Sequence, residues 1–367
     1  MLTKLGIRIT PLPMCAPRLL ASPAHPLREP ADLARHTLLA VQMPRNFGAP
    51  SHTLIAEAVR SGPWRARLEP LLKDGCMCLQ QVDPAELSPG EFVQLVREAY
   101  HAFSPELAKV GEKFFTHGWI DVPVRAGKSP GAFAHPTVPS SHPYLLLNYL
   151  GKTRDVMTLA HELGHGVHQV LSASQGALMA DTPLTLAETA SVFGEQLTFQ
   201  EMLRREKDKK RKQRLIAAKV EDMLNTVVRQ IAFCEFERRV HGERRKGELT
   251  TDQIGQIWLE VQRESLGSAL NLGGDYQYFW SYIPHFIHSP FYVYAYAFGD
   301  CLVNSLYAVY KSGKVKDFEK KYLAMLEAGG TLRHKELLAP FGLDASKPAF
   351  WQQGLNIISG MIDELEA

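Results

Sequence analysis

The chain is poor in the features that assign a large protein to a class at once. Its 367 residues hold only five cysteines, Cys15, Cys76, Cys78, Cys234 and Cys301, at no framework spacing. A disulfide-stapled fold is excluded, and the thiols read as reduced ones in a cytoplasmic protein. Cys76-Met-Cys78 is not a CxxC pair and has no second pair to complete a cysteine metal site. No apolar run approaches the roughly 20 residues of a membrane-spanning helix. The opening MLTKLGIRITPLPMCAPRLLASPA mixes Arg, Pro and small residues without a continuous apolar stretch, which speaks against a secretory signal. Charge of one sign is lacking as well: 41 basic residues face 39 acidic ones, a net +2. No bulk field therefore points to nucleic acid or to a membrane surface. The densest basic run, RREKDKKRKQR at 204–214, lies between Leu203 and Leu215-Ile216 and reads as a solvated helix face.

The character of the chain changes near residue 86. Residues 1–85 carry repeated prolines, scattered arginines and three of the five cysteines, with helical patterning only around 30–41 and 53–72. They are expected to form an atypical N-terminal region, partly disordered or the remnant of a lobe. From Ser88, SPGEFVQLVREAYHAF has a cap, a proline in the first turn, an acid three residues on, and apolar residues at 92, 95, 96, 99 and 103. That pattern predicts an amphipathic helix. A second helix is expected over 105–117, then a Gly- and Pro-rich stretch with a short strand at 144–149. Beyond Asp155 the period is helical over 155–172, 184–205, 208–245, 250–268, 290–312, 315–328 and 348–366. The fold class is mainly α, with a strand or hairpin beside the helices, over a domain spanning 86–367.

Chemistry concentrates in TLAHELGHGVHQ, where His161, His165 and His168 fall within eight residues beside Glu162. HELGH matches HExxH. On a helix, residues i and i+4 share a face, so His161 and His165 can reach one ion, with Glu162 placed as a general base. Two neutral imidazoles plus a carboxylate suit one Zn2+ and leave a fourth position for water. Asp155 is placed to cap this helix and is counted among the residues that support the ligands. The HExxHxxGxxH arrangement would need glycine at 168 and histidine at 171; the chain has His168 and Leu171. The third ligand must then come from a downstream carboxylate. Asp181 stands before Pro183 in a turn, whereas Glu188 lies in LTLAETASVFGEQLTF, an apolar helix where an unpaired carboxylate is expensive to bury. Glu188 is therefore assigned as the ligand, and Glu195, two turns on, as the acid that orients a ligand. His168 either lines the site or is a hydrogen-bonded core histidine.

A second constellation is YIPHFIHSPFYVYAYAFGD at 282–300, where Tyr292 and Tyr296 are i and i+4 and His285 falls near the same line. Aromatic stripes at this spacing are usually core. Beside a metal-bound carbonyl, however, these hydroxyls and the imidazole would stabilise an oxyanion.

TLAHELGHGVHQ, LAETASVFGEQL, IPHFIHSPFYVYAYAFG and the preceding WIDV–GKSPGAFA–HPYLLLNY together resemble the oligoendopeptidase F branch of the thimet oligopeptidase family, from about Ser88 to the C-terminus. The resemblance implies a helical zinc-metallopeptidase catalytic domain acting on short unstructured peptides. It implies His161, His165 and Glu188 as ligands and Glu162 as general base and acid. It also implies His285 with Tyr296, then Tyr292, at the transition state, with Tyr294 as the alternative one turn out of register. His142–Tyr149, with Tyr144, resembles the strand that pairs with substrate backbone, and Gly131-Ala132-Phe133 the loop beside it. Residues 1–85 do not resemble the family's N-terminal lobe. The expectation is a zinc endopeptidase, the alternative a truncated, weakly active or inactive zinc-binding fragment that binds peptides.

Overall fold

The structure, a computed structural model, describes residues 88–267, 272 and 274–366. The reading of residues 1–85 lies outside the described residues. Helices α1 (Pro89–Phe103) and α2 (Pro105–Thr116) form an antiparallel pair. The start of α1 is fixed by a reciprocal cap in which Glu91 N–H donates to Ser88 Oγ and Ser88 N–H to Glu91 Oε2 at 2.9 Å. A small sheet follows: β1 (Ile120–Asp121), β2 (Phe133–His135) and β3 (Tyr144–Leu146). Helices α3 (Thr153–Ser172) and α4 (Leu184–Arg205) come next. Then α5 (Lys209–Leu224), a π-turn at Asn225–Arg229, and α6 (Gln230–Arg244) run in one line. Helix α7 (Thr251–Leu266) precedes a 3-10 segment at Gly274–Tyr282 and the short α8 (His285–His288). The chain closes with α9 (Tyr294–Ser312), α10 (Phe318–Glu327), α11 (His334–Leu338) and α12 (Pro348–Glu366).

Helix α4 is the centre of the domain. It packs against α3 on one side and α9 on the other, and α1 also leans on it. Its apolar residues face several directions, so the helix is buried nearly all round, as its lack of a polar face requires. An aromatic cluster joins three elements near its middle. The ring of Phe193 on α4 lies 5.0 Å from Phe103 on α1 and 4.5 Å from Tyr322 on α10. Two close approaches depend on glycine. A Cβ on Gly164 would stand 2.4 Å from the Ala190 carbonyl oxygen, and one on Gly299 would stand 2.5 Å from Glu188 Cβ. Bare backbone at these points lets α3 and α9 touch α4 directly.

The sheet lies over α3. Leu145 of β3 is buried toward the helix, while Tyr144 is about half exposed on the opposite face. β3 is the central strand, parallel to β1 and antiparallel to β2, in the order β1-β3-β2. The expected strand at 144–149 is thus shorter, and it has two partners that the Gly- and Pro-rich flanks concealed. The expected helix at 208–245 is interrupted by the π-turn, where five residues close a wider ring. The expected helix at 290–312 starts later, at Tyr294, because Phe291 adopts a left-handed φ of 61° that no helix accepts. Among the described residues, no helix is long and apolar enough to cross a membrane.

Candidate metal centre and active site

Helix α3 sets His161 and His165 one turn apart, and Glu188 on α4 meets them across the glycine crossing. His165 Nε2 lies 3.1 Å from His161 Nε2, and Glu188 Oε2 lies 3.4 Å from His161 Nε2 and 3.5 Å from His165 Nε2. A tetrahedral zinc with bonds near 2.0–2.1 Å would hold its donors about 3.3 Å apart, so this triangle has the right size. No other group of three such donors converges among the described residues. Ser191 Oγ donates to Glu188 Oε2 at 2.8 Å and helps aim the carboxylate.

The opposite edge of each imidazole is held. His161 Nδ1 lies 2.6 Å from Glu195 Oε1, and the His165 ring is hydrogen-bonded to the Ala187 carbonyl. These bonds fix the tautomers and turn both Nε2 atoms toward Glu188. Burial disfavours charge on His161, but Glu195 outweighs it with help from Glu188 and raises the ring to about 9. Burial pulls His165 down to about 4, against the attraction of Glu188. Burial also works against ionised Glu195, yet Lys219 and His161 hold it down at about 2. Lys219 Nζ sits 3.3 Å from Glu195 Oε2 and 3.8 Å from Asp222, and Asp300 also acts on it. Glu195 is therefore one link in a buried chain of charges running from His161 to α5 and α9.

Glu162 is only 6% exposed. Burial lifts its carboxyl to about 7, His161 pulls it back, Glu188 and Glu195 add to the rise, and the Ala134 N–H of β2 opposes it. Across the site, His285 Nε2 lies 3.1 Å from Tyr296 Oη, and Tyr292 is hydrogen-bonded to Tyr296. The His285 and Tyr292 rings stack at 5.6 Å. Burial raises both tyrosine hydroxyls, and Glu188 raises them further, which puts the cluster within electrostatic reach of the metal triangle. Tyr294 points elsewhere: it is 6% exposed, packed in the core and coupled to Cys234.

The other residues singled out in the sequence stand apart from this cluster. Asp155 accepts from Leu150 N–H at 2.8 Å and Lys152 N–H at 2.9 Å, so its carboxylate fixes the start of α3. His168 is buried and bonded to the Leu326 carbonyl, with burial lowering it to about 4. His142 stacks on Trp119 at 4.2 Å, and Gly131, at φ 82°, is pinned through its carbonyl by Asn148 at 2.8 Å. Because β3 is central, Tyr144 cannot offer a free backbone edge. Among the described residues the outer edges of β1 and β2 pair with no further strand, and of the two it is β2 whose Ala134 N–H reaches Glu162.

Sequence reasoning missed Lys219 and Tyr100. Lys219 lies on the stripe Ile216, Val220 and Met223, all buried, and a lysine on such a stripe is a legible sign of a buried partner. Tyr100 donates to the Ala160 carbonyl at 2.7 Å, next to His161; the long separation in sequence left no signal.

An HExxH helix with a carboxylate from the following helix, inside a mainly helical frame, defines the class of HExxH metallopeptidase folds. The chain belongs to peptidase family M3, whose sequence profile matches residues 86–357. It is 30% identical over 276 residues to an oligoendopeptidase F homolog of Lactococcus lactis subsp. lactis, an alignment covering 75% of this chain and 45% of that protein. It is 28% identical over 264 residues to oligopeptidase PepF of Bacillus subtilis, covering 71% and 39%. The chain thus spans about half the length of the curated relatives it matches. Among solved structures, PZ peptidase A superposes with a TM-score of 0.72 at 18% identity, covering 87% of this chain and 59% of the other. Oligoendopeptidase-F from Enterococcus faecium gives 0.63 at 20%, covering 90% and 54%, and both share the fold.

Proposed function

We propose that this chain is a zinc-dependent endopeptidase that hydrolyses internal bonds of short, unstructured peptides. The observation that carries the reading is the meeting of three donors, His161, His165 and Glu188, at tetrahedral spacing beside the buried carboxyl of Glu162. A binding module would need the donors but not the acid. The zinc they would hold supplies Lewis-acid polarisation when bound. Glu162 takes a proton from the attacking water and returns it to the leaving amine. Tyr296 Oη and the neutral imidazole of His285, kept uncharged by burial, donate to the oxyanion that forms at the scissile carbonyl. Tyr292 holds the Tyr296 hydroxyl in place. The peptide backbone pairs with the open edge of Phe133–His135, so the substrate strand runs beside Glu162. The free, buried thiols of Cys234 and Cys301 fit a cytoplasmic setting.

One observation favours a second reading. The same donor triangle would let a chain bind zinc and hold peptides without cutting them. Cleavage of an internally quenched peptide, with and without chelator and beside Glu162→Gln, separates the two. Chelator-sensitive turnover that falls about 100- to 10,000-fold in Glu162→Gln while zinc stays bound supports the peptidase. One zinc per chain with no turnover supports the peptide-binding chain, and absence of zinc sinks both.

A further inference from the structure

Glu237 on α6 is 2% exposed, and the mechanism above does not use it. Its Oε1 accepts from the Phe291 N–H at 2.8 Å, while Oε2 has no hydrogen-bond partner among the described residues. A buried carboxyl with half its capacity idle is costly unless the one bond it makes matters. The donor is unusual too. Phe291 is a non-glycine residue at φ 61°, a conformation the chain leaves at once if nothing holds it. The turn it forms, Ser289–Tyr292, joins α8, which carries His285, to the run leading into α9, which carries Tyr296. It is closed by the Tyr292 N–H to Ser289 carbonyl bond at 3.1 Å. The Phe291 ring is held from the same helix as Glu237, by His241 at 4.8 Å. Helix α6 thus grips both the backbone and the side chain of the one strained residue between the histidine and the tyrosines.

We propose that Glu237 is a positioning residue that clamps the Phe291 turn and so sets the distance between His285 and the Tyr292–Tyr296 pair. The clamp needs an acceptor, not a charge. Burial raises the carboxyl to about 7, and its oxygen toward Phe291 accepts in either protonation state. An amide oxygen at the same place does the same work. The kinetic arm of the test rests on the peptidase reading; the exchange arm does not.

The experiment compares Glu237→Leu, Glu237→Gln and a protein with phenyllactic acid in place of Phe291, which deletes the donor N–H and leaves the core untouched. Quenched-peptide kinetics, zinc content and amide exchange over 285–296 are read on each. Glu237→Leu and the ester protein are expected to lose about 10- to 100-fold in kcat, with KM and zinc content unchanged. Glu237→Gln is expected to stay near wild type. Wild-type kcat in the ester protein overturns the clamp, even if Glu237→Leu does not fold. A loss in Glu237→Gln as deep as in Glu237→Leu overturns it as well, because charge would then be the requirement. If the wild type cleaves nothing, the peptidase reading fails alone. The clamp is then judged by exchange, which should be faster at 289–292 in Glu237→Leu; equal exchange overturns it.

Discussion

The two halves of the site are built in opposite ways. The donor half stands on two long regular helices, with His161 and His165 on α3 and Glu188 and Glu195 on α4. Its precision comes from helix period, a glycine crossing and a buried lysine. The hydroxyl half stands on a four-residue helix, a left-handed phenylalanine and the first turns of α9. There the geometry comes from one backbone-to-carboxylate bond out of a neighbouring helix. Regular helices transmit spacing from sequence to space, and an irregular turn does not.

Breaking the donor half at its crossing should have the largest effect. In Gly164→Val the new side chain meets the Ala190 carbonyl and Ser191 Cα, so α3 and α4 must separate. Overpacking of this kind costs about 3 kcal/mol. We expect metal content and turnover to be lost together, with a lower urea midpoint; retained metal would show that the crossing tolerates a Cβ.

The hydroxyl half should fail differently. On the proposed mechanism, Tyr296→Phe removes one oxyanion donor and should lower kcat about 100- to 1000-fold while metal content and the urea midpoint hold. If metal falls too, the two halves are not separable.

A smaller effect probes the buried charges behind the donors. Lys219→Met leaves Glu195 without its cation in a site where burial opposes ionisation. Its hold on His161 should loosen and weaken zinc affinity about 10- to 100-fold in a chelator competition. Unchanged affinity would make Lys219 a folding element only.

The smallest effect is a pH dependence that belongs to the donor helix but not to its chemistry. His168 titrates at about 4 in the fold because burial disfavours its charge, against 6.5 when unfolded. The unfolded chain therefore takes up the proton first. Stability is present above pH 6.5 and is lost as pH falls toward 4. Between pH 7 and 5 this amounts to about 2 kcal/mol, at 1.36 kcal/mol for each pKa unit. In urea titrations of chelator-stripped protein, His168→Gln should lose less stability than wild type over that interval; parallel curves would show the ring charged in the fold.

Much of the donor half was legible in the sequence. HELGH gave the spacing of the two imidazoles, and the apolar run around Glu188 marked a carboxylate that needed a partner. The pairing of Tyr292 with Tyr296 was also legible from their spacing, although Tyr292 stands before the first residue of α9. What could not be read were meetings between distant segments. Resemblance pointed to 142–149 as the strand beside the substrate, and in the fold both edges of β3 are taken by β1 and β2. Its two short partners carry no alternation to announce them, and pairing alone left the outer edges to β1 and β2. Asp155 stands nearly two turns before His161, at the start of α3, and there it binds backbone N–H groups as the cap the sequence suggested. The start of α9 was misread because left-handed backbone at Phe291 has no marker in a side chain built for the right-handed region.

By itself, the sequence determined the mainly helical class and set His161, His165 and Glu162 together on one helix, because helix period converts residue spacing directly into shared faces. Only the tertiary structure decided which strand offers an edge, which lysine holds Glu195 and which carboxylate grips Phe291. Those contacts join residues tens of positions apart, and local spacing carries no information about which buried groups a folded chain brings together.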